Sequence, residues 1–279
     1  MEKSISYWSM KGGLEHTRPI REAMEEAKKA KFDCIELCFA AKGVLSPKTT
    51  EKQCQKILAD AKDIGIKISS LCTGMYWDYS LTDDKASVRK KAHDLTVAYI
   101  KAAKMLKLKH VLVVPGAVDV FFKPDFKKVP YEVVWKRSIQ QLRKLARAAQ
   151  KNKVYLCVEN VWNKFLLSPI EMKMFLEAVG SHWVGCYFDV GNIMLYGFPQ
   201  QWIRYLGSRI KRIHFKDFKC SVGTVEGFCD LLKGDVPWAE VMKAFRTVGY
   251  DGPCTGEMMP PDPTLLTRTS KAMDKIFAM

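Results

Sequence analysis

Four strand-like segments in the second half of the chain end in a residue that can ligate a cation or move a proton. They are Glu159 in VYLCVEN, Asp189 in VGCYFDVGN, His214 in IKRIHFKD and Glu257 in PCTGEMM. Two Glu, one Asp and one His suit a catalytic divalent ion that keeps coordination positions open for a substrate. Each residue alone has a plainer reading: a lysine partner for Glu159, a turn cap for Asp189, a hydrogen-bonded core imidazole for His214, a loop carboxylate for Glu257. Together the plain readings weaken, because three carboxylates gathered at strand ends repel one another without a cation.

The chemistry of such a set is specific. A divalent ion chelated by a substrate carbonyl and an adjacent hydroxyl acidifies the C–H between them and stabilises the developing enediolate. A carboxylate beside the ion then takes the proton.

The four positions lie roughly 25 to 45 residues apart, about one strand-plus-helix unit each, as in a βα barrel whose strand ends converge on one rim. Short apolar or β-branched runs alternate with longer amphipathic segments, the pattern of a parallel sheet covered by helices. Strands are predicted over 4–9, 33–38, 67–72, 110–115, 154–159, 184–189, 210–215 and 253–258. Helices are predicted near 18–30, 50–64, 84–106, 131–151, 169–180, 199–206, 237–248 and 264–278. Pro19, Pro169 and Pro199 fall in or near first turns, with Thr17 and Ser168 as caps, and Gly65, Gly180 and Gly249 fall where helices should stop. Eight strands is the barrel number, so the fold class is α/β, a single (β/α)8 TIM barrel over 1–279. Predicted strands 5 and 8 are three steps apart around that ring, so Glu159 and Glu257 should face each other across a bound substrate. Proton return to the opposite face inverts a carbon; transfer to the neighbouring carbon on the same face isomerises.

The other predicted strand ends supply Trp8, Glu36, Cys72 with Thr73, and Pro115 with Gly116 as walls of the site. Glu36 could meet a substrate hydroxyl or orient His214, and Asn163 follows the first metal candidate closely enough to line the pocket. Lys216 and Lys219 flank Asp217 just after His214 and could attract a phosphate or another oxyanion; an exposed Lys–Asp–Lys loop is the plain alternative. Trp8, Tyr76 and Trp77 offer flat faces for stacking.

The 279 residues contain no Pro/Gly/Ser-rich linker, and a 48% hydrophobic fraction fits one large core. The net charge of +15 sits mostly in Glu-interspersed, helix-like stretches such as 21–31 and 136–153, which reads as a solvated outer face. Nine cysteines, several inside strand-like runs, fit reduced buried thiols better than a disulfide framework. The start, MEKSISYWSMKGG, lacks the apolar core of a secretory signal, and no run approaches the roughly 18 apolar residues of a spanning helix. A cytoplasmic protein with no membrane and no nucleic-acid partner is expected.

The runs CVENVWNKFLLSP, CYFDVGN, IHFKDFK, LLKGDVPW and YDGPCTGE resemble the sugar isomerase/epimerase branch of the xylose isomerase-like barrels. LCTGMYWDYSLT and VPGAVDVFFKPDF extend the likeness over nearly the whole chain. The resemblance implies one divalent ion, Mn²⁺ by preference over Mg²⁺, Co²⁺ or Zn²⁺, held by Glu159, Asp189, His214 and Glu257. It implies a sugar or sugar phosphate as substrate, the phosphorylated form slightly favoured, and a small homo-oligomer. Glu159 and Glu257 would be both ligands and the catalytic acid/base pair.

The chain departs from the free-sugar 3-epimerases of that branch: Asn192, Phe165 and Cys220 stand where a His, a Glu and an Arg are expected. Asn192 is accordingly read as a substrate contact. Two rivals within the resemblance are a lyase like inosose dehydratase, in which the same apparatus expels a β-hydroxyl, and a barrel that binds sugar without turning it over. A repair endonuclease is disfavoured, because its histidine-rich three-zinc cluster has no counterpart here.

Overall fold

A computed structural model describes residues 1–279. Eight parallel strands close a barrel in the order β1 (Glu2–Ser6), β2 (Cys34–Cys38), β3 (Lys67–Cys72), β4 (His110–Val113), β5 (Tyr155–Glu159), β6 (Val184–Asp189), β7 (Ile210–Phe215) and β10 (Pro253–Gly256). β2 and β6 are buried along their whole length. Strands covered on both faces are mostly apolar rather than alternating, and the charged exceptions in these two, Glu36 and Asp189, belong to the functional site. Around them pack α1 (Ile20–Lys29), α2 (Glu51–Ile64), α3 (Ala86–Met105), α4 (Tyr131–Asn152), α5 (Pro169–Val179), α6 (Pro199–Leu206), α7 (Trp238–Thr247) and α8 (Leu265–Phe277). The single (β/α)8 barrel is therefore the observed architecture, and no helix is long and apolar enough to cross a membrane.

Helix ends follow local chemistry. Thr50 caps α2 by accepting from the Gln53 N–H, Gln53 returns the bond to the Thr50 N–H, and Gly65 closes the helix at φ 72°. Ser168 caps α5 by accepting from the Glu171 N–H, ahead of Pro169, and Gly180 ends it at φ 69°. Thr17 does not cap α1; Pro19 holds that position, without a side-chain bond. Replacing Thr50 by Ala removes the reciprocal cap and should cost about 1 kcal/mol of stability, read as a lower urea midpoint.

The first strand is shorter than predicted. The chain leaves β1 at Ser6 and enters a 3₁₀ turn over Tyr7–Ser9, where the Ser6 hydroxyl accepts from the Trp8 N–H at 3.3 Å. The apolar pattern runs on because Tyr7 is buried in the turn itself. Gly13 packs against this turn so closely that a β-carbon would lie 2.1 Å from the Tyr7 carbonyl oxygen. The loop after β7 also carries a small antiparallel ribbon that was not predicted, β8 (Asp217–Phe218) on β9 (Phe228–Cys229).

At the start of β4, His110 stacks on Tyr155 at 5.3 Å, with no partner for its Nδ1. Burial first, then Arg212, Lys211 and Lys109, push its pKa down to about 3. A pKa depressed on folding means stability is complete above the unfolded value near 6.5 and falls as pH drops toward 3, by at most about 1.4 kcal/mol per pH unit. His110→Phe should flatten the pH dependence of the denaturation midpoint in that window.

Candidate metal and active site

Strand register assembles the site. Asp189 and His214 are direct partners across β6 and β7, and Glu159 ends β5 opposite Tyr187. Glu257 follows β10 by one residue, its N–H donating to the Phe215 carbonyl at 3.1 Å. One ligand atom from each of the four lies within 4.8 Å of the others, and all four residues are buried. The structure thus brings together the four residues predicted to hold a metal.

His214 organises the cluster. Its Nε2 lies 2.8 Å from Glu36 Oε1, while Glu36 Oε2 accepts from the Ser70 hydroxyl at 2.9 Å and from the Tyr187 hydroxyl. Glu36 is occupied as an acceptor, so the hydrogen-bond network assigns a proton to Nε2. The other nitrogen, Nδ1, then faces the carboxylates: Glu257 Oε2 at 2.7 Å, Glu159 Oε1 at 3.1 Å and Asp189 Oδ2 at 3.9 Å. A carboxylate behind a histidine whose free nitrogen points into a ring of oxygens is the arrangement that orients a metal-binding imidazole.

The titration of these groups reflects the crowding. Burial opposes a charged imidazole, yet Glu36 and Glu257 outweigh it and hold His214 well above its ordinary range. Burial pushes Glu159 up to about 7, aided by Glu257 and opposed by His214, and raises Asp189 as well. Burial would raise Glu257 too, but Lys216 and His214 prevail and bring it down to about 2. A proton drawn to Nδ1 takes the place a cation would occupy, which couples cation binding to proton release.

Asp189 divides its oxygens. Oδ1 accepts from the Asn192 N–H at 2.9 Å, which fulfils the turn-cap reading. Asn160 clamps the same residue from the other side, accepting from the Asp189 N–H at 2.9 Å and donating to its carbonyl at 2.7 Å. Oδ2 is left for the cluster. It and Glu257 Oε2 are buried without a directed hydrogen bond, although Lys216 Nζ approaches them to 2.8 and 3.0 Å. Three hard carboxylate oxygens and an imidazole nitrogen within 4.8 Å of one another fit a divalent ion. Gly191 makes room for this lysine, since a β-carbon there would lie 2.6 Å from Lys216 Cβ.

The remaining predicted residues separate into two groups. Trp8, Asn192 and Lys216 line a cavity of about 1190 Å³ over the cluster, together with Glu257. Glu36 is buried beneath His214 and does not reach the cavity. Asn163 also lies outside the lining; its amide donates to Gly116 O at 2.7 Å and accepts from the Phe165 N–H, tying two loops together. Asp217 makes no ion pair with the lysines that flank it. It gathers the N–H groups of Phe218, Leu232 and Val236 and the Trp238 indole, and so fixes the loop after β7. Tyr187 and Ser70 were missed. The signal for Tyr187 was available, because it stands two residues before Asp189 and so faces the barrel interior on the same side of β6.

Relatives agree with this architecture. SgbU of Escherichia coli (strain K12), which carries a provisional L-ribulose-5-phosphate 3-epimerase name, is 24% identical over 85% of this chain and 82% of its own length. A D-psicose 3-epimerase from Enterocloster bolteae is 22% identical over 89% of this chain and 78% of its own. The crystal structure of D-psicose 3-epimerase with D-tagatose from Clostridium cellulolyticum H10 superposes with a TM-score of 0.80 at 20% identity, covering 99% of this chain and 98% of that one. The family model for the xylose isomerase-like TIM barrel matches residues 24–276, and the chain belongs to that family.

Proposed function

We propose that this protein is a divalent-metal-dependent sugar isomerase or epimerase that moves a proton beside a carbonyl through an enediolate. The observation that carries the reading is the convergence of three carboxylate oxygens on one imidazole nitrogen whose opposite nitrogen is held by Glu36. Glu159, Asp189, His214 and Glu257 would hold the ion, and Mn²⁺ is the ion we assign to this oxygen-rich set. When bound, it supplies Lewis-acid polarisation of a carbonyl and its neighbouring hydroxyl.

The protein's own groups do the rest. Glu159 on β5 and Glu257 after β10 lie on either side of the β6–β7 pair, which supports their use as opposed acid and base. Asn192 and Lys216 border the same space and are assigned to substrate hydroxyl or carbonyl oxygens, and Trp8 to a sugar face.

The provisional name of the Escherichia coli relative supports a phosphorylated sugar. The lining favours an uncharged one: Glu15, Asp78, Asp217, Glu226 and Glu257 oppose only Lys42 and Lys216, and Lys216 already faces two carboxylates. Incubating the Mn²⁺-loaded protein with free and phosphorylated pentoses and hexoses, with NMR product analysis, tests the assignment. Conversion of one sugar to a single isomer is the expected result; loss of water instead would make the protein a lyase.

A further inference from the structure

The cavity holds an aromatic arc that the proton-transfer chemistry does not use. Trp77 meets Phe122 at 5.3 Å, Phe122 meets Phe121 at 5.1 Å, Phe121 meets Trp162 at 6.0 Å, and Trp162 meets Phe228 at 5.2 Å. The five rings come from the loops after β3, β4, β5 and β7 and run along one wall. The inner end of the arc abuts the cluster, since Lys216 Nζ lies 5.9 Å from the Phe228 ring centre. Midway along the arc Phe121 and Phe122 are 51% and 48% exposed.

A bare sugar does not account for this wall. Hydroxyl groups placed along it would give up water without gaining partners. Phenylalanine rings offer none, the Trp162 indole N–H is already given to the Asn192 carbonyl at 2.8 Å, and the Trp77 indole N–H is the one ring donor left. The carboxylates beside the arc are already engaged, Asp78 by Lys123 and Glu226 by Thr224, while Glu257, Asn192 and Lys216 converge at the deep end. The cavity, about 1190 Å³, exceeds the roughly 300–1,000 Å³ usual for drug-sized ligands. Its two ends ask for two chemistries in one molecule.

We propose that the substrate is a keto-sugar bearing an apolar aromatic substituent, an aryl oxoglycoside, with the sugar at the carboxylate end and the aryl group along the Trp77–Phe228 arc. The proposal rests on the isomerase reading above and names its substrate class. The reaction stays balanced, because the proton taken from the carbon beside the carbonyl is returned to the same molecule and the aryl group is only held.

Dissociation constants measured by ligand-observed NMR on the Mn²⁺-loaded protein provide the test. The probes are 4-nitrophenyl β-D-glucopyranoside, methyl β-D-glucopyranoside, cellobiose and 4-nitrophenol. The aryl glucoside should bind at least about tenfold more tightly than each of the other three. The Phe121→Ala/Phe122→Ala double variant should erase that advantage without changing Mn²⁺ affinity. Both residues are half exposed, so the fold should survive, and near-UV circular dichroism checks that it does. Equal binding of aryl and methyl glucosides, equal binding of cellobiose, or an advantage that persists in the double variant would overturn the proposal. So would 4-nitrophenol binding as tightly as its glucoside, or a dimer that the double variant dissociates, since a second copy would then cover the arc. Aryl preference with no proton exchange on any sugar would overturn the isomerase reading alone; exchange on small ketoses without aryl preference would overturn this inference alone.

Discussion

The Glu257→Gln protein should fold normally, bind sugar and turn it over about 10²–10⁴ times more slowly. Glu257 is buried, and its Oε2 lies 2.7 Å from His214 Nδ1 and 3.0 Å from Lys216 Nζ. The amide keeps the shape and loses the negative charge that a proton acceptor needs. Its backbone position is fixed independently by the bond to Phe215, so the strand end should not move. Circular dichroism checks the fold, elemental analysis checks that the ion is still held, and the sugar assay reads turnover. Near-normal turnover in metal-replete protein would remove Glu257 from the mechanism.

Glu36→Gln should lower Mn²⁺ affinity about 10–100-fold, although Glu36 is not among the four converging residues. Its carboxylate accepts from His214, Ser70 and Tyr187. An amide can present its oxygen to only one side. If the NH₂ group faces His214, the imidazole proton is driven to Nδ1 and the lone pair that would meet the ion is lost. If it faces Tyr187 and Ser70, their hydroxyls must turn, and the negative charge behind the imidazole is gone. Glu36 is thus a positioning residue, and calorimetric titration with Mn²⁺ reads its effect directly. An affinity equal to the parent protein would contradict the role.

These two residues also show what was legible in the sequence. Glu257, Asp189, His214 and Glu159 could be read because each stands at or just after the end of a short strand-like run, and a parallel barrel brings such ends to one rim. The predicted bounds 67–72, 184–189 and 210–215 coincide with β3, β6 and β7. Glu36 was read as a strand end but lies in the middle of β2, and whether it faced a ligand or His214 depended on a contact across 178 positions that no local pattern encodes. Trp8 and the β8–β9 ribbon illustrate the other limit. A three-residue turn and two-residue strands are too short to impose a period, so β1 was read too long and the ribbon not at all. Asn163 looked like a pocket residue by proximity to Glu159, yet its amide is consumed by Gly116 and Phe165. Sequence proximity says where a side chain starts, not which partner satisfies it.

Proton transfer through an enediolate leaves a direct mark, deuterium taken up from the solvent. The Mn²⁺-loaded protein is incubated in D₂O with free, phosphorylated and aryl-substituted keto-sugars, with and without a chelator, and followed by NMR. Deuterium should appear at the carbon beside the carbonyl, exchange should stop on chelation, and it should recover when the ion is restored. Absence of exchange on every sugar, with the ion confirmed in the site, would contradict proton transfer through an enediolate.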